Sequence, residues 1–173
     1  MPQPMPWNER RFAADLPLAM FPNVLERLRG APPRLAERLS GLDGEQLARR
    51  LGESWSILEN AAHLVQVEAI WIGRLDDFAR GLPELRPADS SHQRATAAAS
   101  GTAGVGEVVA AFASARAQFV TRLEAQGEAD LSRTALHPRL RQPMRVLDHM
   151  LFAAEHDDHH LARISELRRL LAG

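Results

Sequence analysis

The chain has 173 residues, 21 basic and 22 acidic side chains, a formal net charge of −1 and no cysteine. One domain accounts for that length; the missing cysteine excludes disulfides, thiolate zinc sites and a cysteine nucleophile, and the balanced charge leaves no basic stripe for nucleic acid. No apolar run reaches the length of a membrane span and MPQPMPWNER has no signal-peptide core, so a cytoplasmic protein with neither a nucleic-acid nor a membrane partner is expected.

Residues 1–17 read as an extended arm with prolines at alternating positions, and Trp7 and Phe12 are the side chains able to pin it to the body or to another subunit. Residues 18–173 form the main domain. Phe21, Val24, Leu25, Leu28, Leu35 and Leu39 give a first helical stripe, broken or kinked at Gly30-Ala31-Pro32-Pro33 and ended by Gly41. A short helical turn over 43–51 leads into a second long helix.

That helix opens on Ser56 with Glu59 three residues later, a capping box in which each side chain satisfies a backbone N–H at the helix start. Ala61, Leu64, Val67, Trp71, Leu75 and Phe78 then face inward, and Gly81 ends it. Trp71 and Phe78 read as core rather than as a substrate platform. His63 lies on the same apolar arc, where a lone histidine is more often a hydrogen-bonded core residue than a ligand. Glu68 interrupts the stripe; pairing with an arginine of a neighbouring helix is favoured over orienting a ligand or substrate.

Residues 82–103 are polar and rich in alanine, proline and glycine, the composition of a long crossover, with a partial helix at 93–99 and an exposed His92. A third helix over 106–126 carries no ionisable group out of place. The loop 128–142 contains HPRLRQP. Its His137 is a candidate for lining the mouth of a site, although a turn histidine is more often exposed.

The last helix is expected from Pro143, a residue suited to a first helical position, to the end of the chain. Val146, Met150, Ala153, Ile164, Leu167 and Leu171 form its core stripe, and His156 and His160 interrupt that stripe four residues apart on one face. Such a pair can offer two nitrogens to one ion. His149 precedes His156 by about 10 Å of helical rise, too far to share the ion, and reads as a packed neighbour. His159 is turned roughly 60° from His156 and is the less natural partner. Glu155, Asp157 and Asp158 point about 100° or more away from His156, so they support the site from outside or simply solubilise their face.

Four main helices with no strand pattern define an all-α four-helix bundle. Bundle sites are built from side chains on facing helices, which is where His63, His156 and His160 would meet.

Three segments, Trp55-Ser56-Ile57-Leu58-Glu59 with His63-Leu64, the HPRL turn at His137, and EHDDHHLARI from Glu155, together resemble the DinB-like superfamily, which includes bacterial thiol-dependent S-transferases. The resemblance covers nearly all of the chain after Leu18. It implies an up-down-down-up bundle, a homodimer, and one divalent metal held by His63, His156 and His160. Arg163 is a departure, standing where many relatives have a glutamine.

Three neutral imidazoles leave an ion with its full charge and an open position, and zinc, nickel or iron would suit them. The resemblance implies a transferase joining a low-molecular-weight thiol to an electrophilic small molecule; with no cysteine of its own, the protein would take that thiol from a cosubstrate. The alternatives are a hydrolase using water and a non-enzymatic, metal-stabilised binding or stress-response module.

Overall fold

The structure is a computed structural model that describes residues 5–88 and 104–171. Its first long rod is two helices, α1 (Phe21–Arg29) and α2 (Ala31–Leu39). The break falls at Gly30, because Pro32 and Pro33 in the first turn of α2 bring no N–H to continue the backbone ladder. A short α3 (Gly44–Ala48) is held by a capping box between Asp43 and Gln46. Next comes α4 (Ile57–Ala79), where Ser56 accepts from Glu59 N–H at 3.1 Å and Glu59 accepts from Ser56 N–H at 2.8 Å. Gly81, at φ 66°, takes the left-handed turn that ends it.

α5 (Val105–Glu124) and a single turn, α6 (Glu128–Leu131), lead to two strands and the last helix, α7 (Val146–Leu171). β1 (Thr134–Leu136) and β2 (Pro143–Arg145) pair antiparallel, with Leu136 opposite Pro143. The strands correct the expectation of no strand, and Pro143 belongs to β2 instead of opening the last helix. Three residues are too few to show an alternating pattern. The helix starts at Val146 because Asp148, in its first turn, accepts from Arg145 N–H at 3.0 Å and pairs with the Arg145 guanidinium. Residues 83–85 run along the other side of β1 through Leu85 N–H to Leu136 O at 3.0 Å and Leu136 N–H to Pro83 O at 2.9 Å. The expected helix at 93–99 and His92 lie outside the described residues.

Side-chain pairs give the helix directions. Glu68 and Asp76 of α4 meet Arg116 and Arg122 of α5, so those helices run parallel. Asn60, His63 and Trp71 meet His160, His156 and His149, so α4 and α7 run antiparallel. Arg27 and Arg38 meet Asp158 and Ser165, so the first rod runs parallel to α7. The bundle is therefore up-down-down-up, and its parallel α4–α5 pair is what requires the long crossover.

Two apolar clusters fill the bundle. One gathers Leu28, Trp71, Phe119 and Met150; the other gathers Leu35, Leu64, Phe112 and Ile164. Between them lies a polar layer. Arg116, 1% exposed, directs its five N–H groups to Glu68, Asp157 and the carbonyl of Leu28. Glu68 thus takes the arginine pairing expected of it. Two expectations fail at this layer. Arg116 is an ionisable group inside the third helix, and Asp157 is fully buried instead of solubilising its face. Burial pushes the Glu68 carboxyl up to about 7 against the pull of Arg116, and raises Asp157 as well. No described helix is long and apolar enough to cross a membrane.

Candidate metal centre

The polar layer sits at the level where α4 and α7 face each other with histidines. His63 and His156 occupy apolar arcs of antiparallel helices, and His160 follows one turn further along α7. One ligand nitrogen from each lies within 4.8 Å of the other two, and all three side chains are buried. Two imidazole nitrogens on one ion at about 2.0–2.1 Å in tetrahedral geometry stand roughly 3.3–3.4 Å apart. His63 Nε2 and His156 Nε2 are 3.3 Å apart. The donor set and its spacing fit a divalent ion.

The protonation states fit too. Burial holds His63 down to about 4, and holds His156 and His160 well below the ordinary histidine value, with the neighbouring imidazoles adding to the shift. Each ring is neutral at pH 7, the form that ligates. Asn60 then selects the nitrogen of His160. Its Nδ2 donates to Ser56 O at 2.8 Å, which turns Oδ1 toward His160 Nδ1 at 2.9 Å. Nδ1 donates there, and Nε2 is left for the ion. His63 Nδ1 and His156 Nδ1 have no such partner among the described residues.

The other candidate residues divide. His149 is buried against Trp71, Phe78 and Phe119, its Nε2 3.4 Å from Trp71 O, and stays outside the triad as a packed neighbour. His159 is half-buried, its ring 5.7 Å from Trp7 and 5.1 Å from His160, and lines the cavity without joining the cluster. His137 is only 1% exposed, because its Nδ1 accepts from the N–H groups of Arg139 at 3.2 Å and Leu140 at 3.1 Å. Glu155 and Asp158 pair with Arg27, and Asp158 also with Arg34, so they fasten the first rod to α7 and do not face the triad. Arg163, the departure, donates to Ser54 Oγ at 2.8 Å and ties α7 to the loop before α4.

A cavity of about 930 Å³ opens onto the triad. Trp7, in the N-terminal arm, closes one side with its ring 5.1 Å from His156 and 5.0 Å from Phe152. Trp55 packs 4.9 Å from His63, and Trp71 lies 5.5 Å from His156. Trp71 is therefore both core and cavity wall. Asn60 and Arg74, which also shape this region, escaped the sequence reading. Both sit on the helical face of His63, three residues before it and eleven after, and that shared face was the available signal.

A four-helix bundle in which three neutral histidines converge below an open cavity could hold a metal ion there. The chain belongs to the DinB superfamily, whose sequence model matches residues 27–164. It shares its fold with YfiT of Bacillus subtilis, described as a probable metal-dependent hydrolase with an unusual four-helix bundle topology. The TM-score is 0.83 at 19% identity, covering 95% of this chain and 94% of that one. No curated protein matches the chain.

Proposed function

We propose that His63, His156 and His160 hold one divalent ion and that the protein is a metal-dependent transferase placing a low-molecular-weight thiol on an electrophilic small molecule. The observation that carries the reading is a three-histidine cluster under an open cavity, three protein ligands being the number that leaves room for a reactant. Bound there, a divalent ion makes a thiol or a water nucleophilic at neutral pH by lowering its pKa.

The carboxylates of α4 and α7 around the triad favour the thiol; Glu53, exposed on the cavity wall, is the acid not so engaged. Glu68 and Asp157 are committed to Arg116, and Glu155 and Asp158 to Arg27. Attack by water gains from a carboxylate base aimed at it, whereas a thiol, starting near pKa 8.5, needs far less help. Sulfur replaces the leaving group at carbon, and the thiol proton departs through the open mouth. Trp7, Trp55 and Phe152 give the electrophile an apolar wall and exclude water from the reacting end.

Hydrolysis is the second reading, and the description of YfiT favours it. The test is consumption of a model electrophile by metal-loaded protein with and without added thiol. The proposal expects turnover only with thiol, and loss of turnover in His63→Ala. Equal turnover without thiol assigns the hydrolase.

A further inference from the structure

Arg74 is a buried charged side chain of the cavity that the proposed chemistry does not use. It is 2% exposed, yet its guanidinium lines the same cavity as the triad, from the same face of α4. Eleven residues from His63 place it about 16 Å further along the helix axis, close to three full turns. Its Nε donates to Arg86 O at 3.1 Å and its Nη1 stands 3.1 Å from His137 Nε2. Among the described residues no carboxylate pairs with it. Asp77, the acid nearest in sequence, is engaged by Arg86 through both oxygens. The contrast with Arg116 is direct: that arginine, equally buried, has two carboxylates.

The His137 contact sharpens the point. Its Nδ1 accepts from two backbone N–H groups, so the bonds the ring makes assign the hydrogen to Nε2. That hydrogen meets the N–H of Arg74 Nη1. Two donors converge with no acceptor between them among the described residues, and the Trp71 ring, 5.5 Å from the Arg74 guanidinium, does not replace a carboxylate for a buried cation. The guanidinium of Arg139, over the rings of Trp7 and Phe152 at 5.7 Å each, adds a second positive charge to the same wall. Burial without a compensating carboxylate holds Arg74 down to about 10, the opposite direction from Arg116. The acid on the described wall, Glu53, precedes by two residues Trp55, whose ring packs on His63.

We infer that the Arg74 end of the cavity is a carboxylate subsite, where Arg74 and His137 Nε2 donate to a carboxylate of a ligand whose other end reaches the histidine triad. Arg139 adds its charge from the mouth. A planar carboxylate matches the guanidinium fork. Because the Arg74 side chain leans back toward the N-terminus of α4 and takes several Å off the axial separation of about 16 Å, the ligand spans on the order of 10 Å. For that other end the inference rests on the metal-and-thiol reading above. The carboxylate belongs either to the thiol or to the electrophile.

Cobalt-loaded protein tests this by binding. Mercaptohexanoate and mercaptooctanoate are titrated against mercaptohexanol and mercaptooctanol, read by the thiolate-to-cobalt absorption band. On protein saturated with mercaptoethanol, hexanoate is titrated against hexanol, read by tryptophan fluorescence. A preference for the acid of about tenfold or more, removed by Arg74→Gln and reduced by Arg139→Gln, supports the subsite. Preference in the mercapto series places the carboxylate on the thiol; preference only in the second arm places it on the electrophile. Equal affinity for acid and alcohol in both arms of the wild-type protein overturns the subsite, whatever the variants do. Absence of the cobalt band with every thiol overturns the thiol reading instead, and the hexanoate arm still decides the subsite by itself.

Discussion

His160 Nδ1 donates to Asn60 Oδ1 across 2.9 Å, joining α7 to the first turn of α4 at the histidine triad. The same asparagine is anchored by its bond to Ser56 O at 2.8 Å, so the N-cap of α4, the amide and the imidazole form one chain. Asn60→Ala should weaken metal affinity by about 10–100-fold, because His160 loses the partner that fixes its tautomer. Asn60→Asp, which keeps an acceptor, should retain most of it. Competition against a chromogenic chelator measures both, and an unchanged affinity in Asn60→Ala would show that the bond does not orient the ligand.

Arg116 stands between two buried carboxylates, and removing it strands both. Arg116→Met should cost about 3–5 kcal/mol in urea denaturation. Adding Glu68→Leu and Asp157→Leu to that variant should recover much of the loss, since no buried charge is then left without a partner. A triple variant as unstable as Arg116→Met alone would mean that packing, and not charge, sets the cost.

The buried imidazoles make the metal-free protein acid-sensitive. His63 is held down to about 4 and His137 to about 3, the latter by burial and by the charges of Arg74 and Arg139. A group with a depressed folded pKa contributes stability above its unfolded value, near 6.5, and loses it as pH falls toward the folded one. Each such histidine contributes a slope of about 1.4 kcal/mol per pH unit in that window. Glu68, raised to about 7, and Asp157, also raised, slope the other way, but His149, His156, His159 and His160 side with His63 and His137. Stability of the apoprotein should therefore fall from pH 7 to pH 5. A flat profile of denaturation midpoints would contradict the neutral, buried state of these rings.

All three tryptophans of the chain pack against a triad histidine, Trp7 and Trp71 on His156 and Trp55 on His63. Cobalt or copper binding should quench most of the intrinsic fluorescence at one equivalent. Trp7→Phe should lower the starting signal and the quench together. Fluorescence indifferent to these ions would place binding elsewhere.

What the sequence revealed and what it hid have physical causes. His156 and His160 were legible because two polar rings four residues apart break an otherwise apolar stripe, and Ser56 with Glu59 is a local capping pattern needing no tertiary context. His63 required a facing helix before it meant more than a core histidine. Arg116 was hidden although it lies four residues after Phe112 and three before Phe119, on their buried face; its partners come from α4 and α7, far along the chain. Pro143 fits a first helical turn as well as a short strand, and only the pairing of Leu136 with Pro143 decides between them. His137 looked like a turn residue at the surface, because the two backbone N–H groups that hold it inside leave no periodic trace.

The most direct test is metal content per chain of untagged protein purified without chelators, beside the His156→Ala/His160→Ala variant. The account predicts about one divalent ion per chain in the wild type and almost none in a variant that keeps its helical circular dichroism. A wild type that neither retains nor takes up zinc, nickel, iron or cobalt would contradict it, and His63, His156 and His160 would then be core histidines of a DinB bundle without a metal centre.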